Sequence, residues 1–290
     1  MQGTQQHYSH ASLKRESVWF KTKLISQFLS ISFLLTQPFY IPYLHAAPVG
    51  GNVVGGSGAI SQSNLTTTIN QSSQNLAVNW QSFDVKTNEK VNFVQPNSSS
   101  IALNRILGNN GSVIHGQINA NGQVILVNPN GVFFTPSATI NVGGIVASSL
   151  DMTPSDFMNG NYIFNEVLGV DGAVINSGII NASLGGLSAG GNVALIGKQV
   201  TNEGLISAKL GSVVLAAGKQ SVLTFDNNGL IGVKVTREVL QNEVGLDAAV
   251  INSGKINASG GRILLTASTS QDVFSQAVNN SKDVLMKYKA

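Results

Sequence analysis

Cysteine is absent from all 290 residues, which excludes a disulfide framework and thiolate metal sites. Charge is scarce, at 11% Asp, Glu, Lys and Arg, so the sequence lacks the Glu/Lys-rich faces of surface helices and favours stacked β-structure. Aromatic residues make up 7%, and no basic stripe with interleaved aromatics occurs, which leaves nucleic-acid binding unsupported. The formal charge of +3 is concentrated at the start, in Lys14, Arg15, Lys21 and Lys23, and the remainder is close to neutral. Of the four histidines, His7, His10 and His45 precede the repeats, leaving only His115, which cannot form a metal cluster alone.

No run of apolar residues is long enough to span a membrane. The run Leu24 to Leu35 follows a basic stretch and precedes Pro38, Pro42 and the small pair Ala46-Ala47, the order of a signal peptide. Cleavage is expected after Ala46 or Ala47, with the basic region ahead of the apolar run unusually long. Residues 1–47 therefore read as an export signal and predict a secreted or surface protein that travels through the periplasm.

The remaining chain is rich in Asn, Ser, Thr and Gln, with 31 Gly, 42% hydrophobic residues and a mean hydropathy of +0.14, enough for a core. Two patterns recur in order. The first is Gly-x-Ile-x-Ala, at Gly116–Ala120, Gly178–Ala182, Gly204–Ala208 and Gly254–Ala258. The second follows each, at Gly122–Leu126, Gly191–Leu195, Gly211–Leu215 and Gly261–Leu265. Within both, the apolar residues are expected to alternate and so share one strand face. Strands this short cannot bury that face alone, whereas coils of about 20 residues stacked ~4.8 Å apart can. Asn176, Asn202 and Asn252 hold matched positions, as rungs of an internal amide ladder or as turn residues that tolerate left-handed backbone. A β-sandwich would share the short strands but not the matched residues.

The chain from Asn79 to Leu150 contains Asn79-Trp80-Gln-Ser-Phe83-Asp, Val91-Asn-Phe-Val-Gln95-Pro96, Leu103-Asn104-Arg105, Gly116 to Asn128-Pro129-Asn130-Gly131, and Val142-Gly143-Gly144-Ile-Val-Ala147. This series resembles the haemagglutination-activity or two-partner secretion domain of filamentous haemagglutinins, and within that family the high-molecular-weight adhesin branch. The resemblance extends from Pro48-Val-Gly-Gly51 to about Ala277. It implies an all-β fold, a right-handed single-stranded parallel β-helix with an N-terminal cap and short extra-helical β-hairpins, over residues 48–278, with 279–290 as a tail and weak cap.

The resemblance further implies that Asn128, Pro129, Asn130 and Gly131 form a turn contributing to secretion competence, and that Trp80, Phe83, Gln95, Pro96, Asn104, Arg105, Gly122, Gly143 and Gly144 are structural. As residues, Asn-Pro-Asn-Gly reads as a tight turn, because proline presets φ while Asn and Gly accept positive φ. Trp80 is expected to cover the first coils, and Arg105 to satisfy carbonyl groups at a corner. An upstream Asn-Pro-Asn-Leu motif of the filamentous haemagglutinin branch has no counterpart here.

No catalytic residue, cofactor or metal is expected. Glycosidase chemistry needs two carboxylates within about 5–10 Å, and Asp84, Glu89, Asp151, Asp156, Glu166, Asp171 and Glu203 are scattered. Asp151 reads as the N-cap of a short helical turn at Pro154 to Met158. The expected partner is an outer-membrane transporter, a barrel with periplasmic binding domains that recognises the exported chain. The alternative is a glycan- or glycoprotein-binding adhesin domain, which the uncharged polar surface permits without an evident aromatic platform. Asn64, Asn70 and Asn97 stand in Asn-x-Ser/Thr sequons. The C-terminal edge is expected to be weakly protected, as in a truncated or split member of the family, with slow amide exchange from Ile118 to Leu215 and fast exchange beyond Ile263.

Overall fold

The computed structural model describes residues 47–183, 190–226, 229–237, 248–268, 278–280 and 284–285. The predicted signal segment up to Ala46 and most of the predicted tail lie outside them.

The repeats pair with one another in register and in parallel. Sheet I has eight strands: Asn52–Gly55, Asn75–Trp80, Ile101–Ile106, Gln123–Val127, Gly144–Ser148, Val193–Gly197, Ser212–Ala217 and Arg262–Ala267. Sheet II has six: Ser112–Ile114, Val132–Phe134, Ala173–Asn176, Gln199–Asn202, Val250–Asn252 and Val278–Asn280. Sheet III has nine: Gly58–Ser63, Thr66–Gln71, Lys90–Val94, Gln117–Ala120, Thr139–Val142, Ile179–Ala182, Leu205–Ser207, Lys255–Asn257 and Val284–Leu285. The chain visits the three sheets in turn, so each coil pairs only with its neighbours, and parallel crossovers of this kind are right-handed. This is the expected β-helix.

The N-terminal cap is antiparallel: Asn52–Gly55 pairs with Asn75–Trp80, and Gly58–Ser63 with Thr66–Gln71. Reversed strands end the parallel stack and blunt its edge. Trp80 lies buried in the first coils at 1% exposure, edge-on to Phe83 with ring centroids 5.5 Å apart.

Glycine is dictated by close approach at the corner between sheets III and I. A Cβ at Gly211 would lie 1.7 Å from Gly191 O, and one at Gly261 would lie 1.8 Å from Gly211 O. Only hydrogen fits there.

The alternating pattern holds on sheet III, where Ile118, Ile140, Ile180, Ile206 and Ile256 point inward in register. On sheet I it fails. Gln123–Val127, Gly144–Ser148 and Val193–Gly197 are buried along their whole length. Leu103, Ile125, Val146, Ala194 and Val214 point outward, yet they form a second apolar core with Phe157, Phe164 and Leu223. Its cover comes from two excursions between sheets I and II. The first carries the helix Pro154–Met158, here α1, and the strand Ile163–Asn165. The second is the hairpin Gln220–Asp226 and Gly229–Arg237, whose first strand pairs antiparallel with Ile163–Asn165.

The helical turn at Pro154 forms as predicted, but Asp151 is not its cap. Thr153 holds that place, its Oγ1 accepting from Asp156 N at 3.1 Å. With proline as the first helical residue, the capping side chain must stand immediately before it.

Candidate functional site

Asn128-Pro129-Asn130-Gly131 makes the corner between Gln123–Val127 of sheet I and Val132–Phe134 of sheet II. Gly131 N donates to Asn128 O at 2.9 Å, closing a four-residue turn, and Asn130 N donates to Asn128 Oδ1 at 3.0 Å. Gly131 has a φ of 111°, which a side chain rarely adopts.

The corner is also clamped from both neighbouring coils. Asn128, fully buried, donates through Nδ2 to Asn110 O and Ser112 Oγ, each at 3.0 Å, and Asn130 Nδ2 donates to Gly108 O at 3.0 Å. In the following coil Gly172 passes so close that a Cβ there would lie 2.2 Å from Pro129 O. The motif is thus a turn whose amides fasten one coil to the previous one.

The other family-motif residues form two further polar clusters. Trp80 Nε1 donates to Asn104 Oδ1 at 3.0 Å, and Asn104 Nδ2 reaches Ala102 O and Ile125 O at 3.3 and 3.4 Å. A buried amide on the inner face thereby satisfies the indole. Gln95, also buried, accepts from Gly122 N at 2.9 Å and donates to Gln71 Oε1, Ser100 O and Gln123 O, all at 3.1 Å. A Cβ at Gly122 would meet Ser100 O and Gln95 Oε1 within 2.8 Å. Pro96 follows on the exposed turn. Gly143 N donates to Gly122 O at 2.9 Å, and Gly144 opens its strand of sheet I.

Arg105 does not serve corner carbonyls. Its Nε and Nη2 donate to Asp151 Oδ1 and Oδ2, both at 2.7 Å, in a bidentate pair. Those hydrogen bonds hold the guanidinium above its ordinary pKa, partly opposed by burial and aided by the Asp151 charge.

A second ionic cluster escaped the sequence reading, which took its acids as scattered. Buried Lys198 donates to Asp171 Oδ1 at 2.7 Å and Val170 O at 3.1 Å and stands 3.6 Å from Glu166 Oε2, whose other oxygen lies 3.2 Å from Arg237 Nη2. Each ion pair just described anchors the first excursion. Among the described residues no group of three or more His, Cys, Asp or Glu is placed to hold a metal. No helix among them is long and apolar enough to cross a membrane.

The family model of the TPS secretion domain matches residues 45–286. The chain belongs to this family. The match covers the β-helix, its cap and both excursions, and the family is one of secretion domains carried by exported adhesin- and haemagglutinin-type proteins, not an enzyme family. The crystal structure of the HMW1 secretion domain from Haemophilus influenzae is similar at 32% identity and a TM-score of 0.68, over 76% of this chain and 56% of that one. That agrees with the resemblance to the high-molecular-weight adhesin branch. Two proteins named heme/hemopexin-binding protein are also similar. The one from Haemophilus influenzae strain Rd is 35% identical over 73% of this chain and 24% of its own length. The second, also from Haemophilus influenzae, is 42% identical over 33% of this chain and 10% of its length. The chain thus spans about a quarter of the length of the first of these relatives and a tenth of the second.

Proposed function

We propose that this TPS secretion domain is the part of an exported exoprotein recognised by an outer-membrane transporter, a barrel with periplasmic binding domains, and that it winds into its β-helix at the cell surface. The observation that carries this is the nearest-neighbour pairing behind the antiparallel cap: the strands of each coil pair onto the coil before it, so the β-helix can wind in the order in which the chain emerges. Every added coil buries apolar surface at about 25 cal/mol per Å², which favours forward movement. The absence of cysteine suits the same path, since no premature cross-link can close a loop in transit.

In this reading the Asn128–Gly131 turn contributes to the secretion-competent state. Deleting the partner transporter gene is expected to remove the protein from the medium, and its continued appearance there would sink the proposal. Asn130→Ala, which removes the bond to Gly108 O, is expected to lower secretion more than it lowers the melting temperature of the refolded domain.

A further inference from the structure

The outer face of sheet III carries an amide ladder. Asn119 Nδ2 donates to Asn92 Oδ1 at 2.9 Å, Asn141 Nδ2 to Asn119 Oδ1 at 3.4 Å, and Asn181 Nδ2 to Asn141 Oδ1 at 3.1 Å. The four residues stand in register on successive strands, about 4.8 Å apart. A ladder bond uses one N–H and one oxygen lone pair of each inner rung. An amide has two of each, so one donor and one acceptor per rung still face solvent.

Beside the ladder runs a parallel column in which Lys90, Gln117 and Thr139 are in register. The same column continues through Ile179 and Leu205 to Lys255. No carboxylate stands in any strand of sheet III. Val94 and Ile179, at 53% and 40% exposure, add aliphatic surface at the margins of the polar patch.

We infer that this face is a binding surface for an extended glycan chain. The rungs are fixed by their neighbours before any ligand arrives, so binding orders few side chains. Their repeat is close to that of successive rings in an extended polysaccharide, and paired donors and acceptors match its hydroxyls. Val94 and Ile179 can meet the apolar C–H faces of the rings. A cationic partner finds no carboxylate in these strands, whereas Lys90 and Lys255 suit an acidic sugar. Neutral and acidic chains share the hydroxyl chemistry that the ladder reads, and the two lysines distinguish them. The surface is independent of recognition by a transporter, since it belongs to the folded, exported state.

The natural sequence supplies a variant that keeps the fold. Ser207 occupies the ladder column next to Asn181 and its strand pairs in register on both sides. Asn119→Ser together with Asn141→Ser is therefore expected to fold. The full secreted chain would be titrated by calorimetry with neutral glucan oligosaccharides and with uronic-acid-containing oligosaccharides. Binding is expected to strengthen with length up to about five rings, the span of the sheet III strands from Lys90 to Lys255 at ~4.8 Å per coil. The double serine variant should weaken binding to both classes at least tenfold, while Lys90→Ala with Lys255→Ala should weaken only the acidic class. Binding of neither class, or unchanged affinity in the serine variant with circular dichroism intact, overturns the inference. Unchanged secretion in those variants leaves the transporter reading standing, so the two proposals fail separately.

Discussion

Asn202 donates through Nδ2 to Asn252 Oδ1 at 2.7 Å, although the two are 50 positions apart in sequence. The same bond joins Asn176 to Asn202 at 2.8 Å and Asn252 to Asn280 at 2.7 Å, so four amides climb the inside of sheet II. Asn176 Oδ1 also accepts from Gly178 N at 3.2 Å, but of the two readings left open by the sequence the rung is the one observed: these asparagines lie in extended strands, and among the described non-glycine residues positive φ falls at Asn64 and Leu210.

Asn202→Ala removes the middle of that ladder. It leaves Asn176 Nδ2 and Asn252 Oδ1 without the bonds they made to it, inside a fully buried column. Losing a hydrogen bond between buried amides costs about 1–3 kcal/mol. A loss of about 2–4 kcal/mol is expected, read as a fall of roughly 5–15 °C in melting temperature.

Gly211→Ala and Gly160→Ala separate two reasons for glycine. At Gly211 the new methyl would collide with Gly191 O, so a cost of about 3 kcal/mol or more is expected. Gly160 has a φ of 76° and nothing within 4 Å of a Cβ, so only the left-handed backbone is penalised, at about 1–2 kcal/mol. Urea denaturation of the two variants should rank them in that order.

Arg105→Lys keeps the charge and loses the two-pronged contact with Asp151. A cost of about 1–2 kcal/mol is expected, because a lysine ammonium cannot meet both carboxylate oxygens in that plane. The folded guanidinium has the raised pKa, so its contribution is complete below the unfolded value and fades only at far alkaline pH. On the arginine side the difference between wild type and variant should therefore stay constant from about pH 6 to about pH 9 in thermal melts.

Hydrogen exchange should fall into two regimes. Ser212–Ala217 is buried over its last five residues, whereas every residue of Arg262–Ala267, its neighbour in sheet I, is half-buried or exposed. Slow amides are expected from Ile118 to Leu215 and fast ones beyond Ile263. Uniform protection as far as Met286 would instead make the last residues a true cap.

The coils could be read from the sequence because a β-helix writes its contacts as repeats. Residues that touch, such as Asn176 and Asn202 or Gly211 and Gly261, hold equivalent places in successive units. The Asn128–Gly131 turn was legible for a related reason, since proline and glycine set its backbone locally. The excursions escaped this logic. Their cover over sheet I joins Phe157 and Phe164 to Leu223, residues outside any repeat. The unbroken apolar run Val124-Ile-Leu-Val127 was the available sign that sheet I is dry on both sides. The partner of Arg105 was hidden because Asp151 and Thr153 are both competent capping types, and only adjacency to Pro154 decides between them.

The anchors of the first excursion also carry an order in time. In a chain that winds in the order in which it emerges, Asp151 meets a residue already in place, Arg105, but Glu166 and Asp171 wait for Lys198 and Arg237, which come later in the chain. The base of the excursion can be seated at once, while its far end stays unlatched until the next coil and then the hairpin have arrived. A latched excursion thus serves as a record that both have been completed.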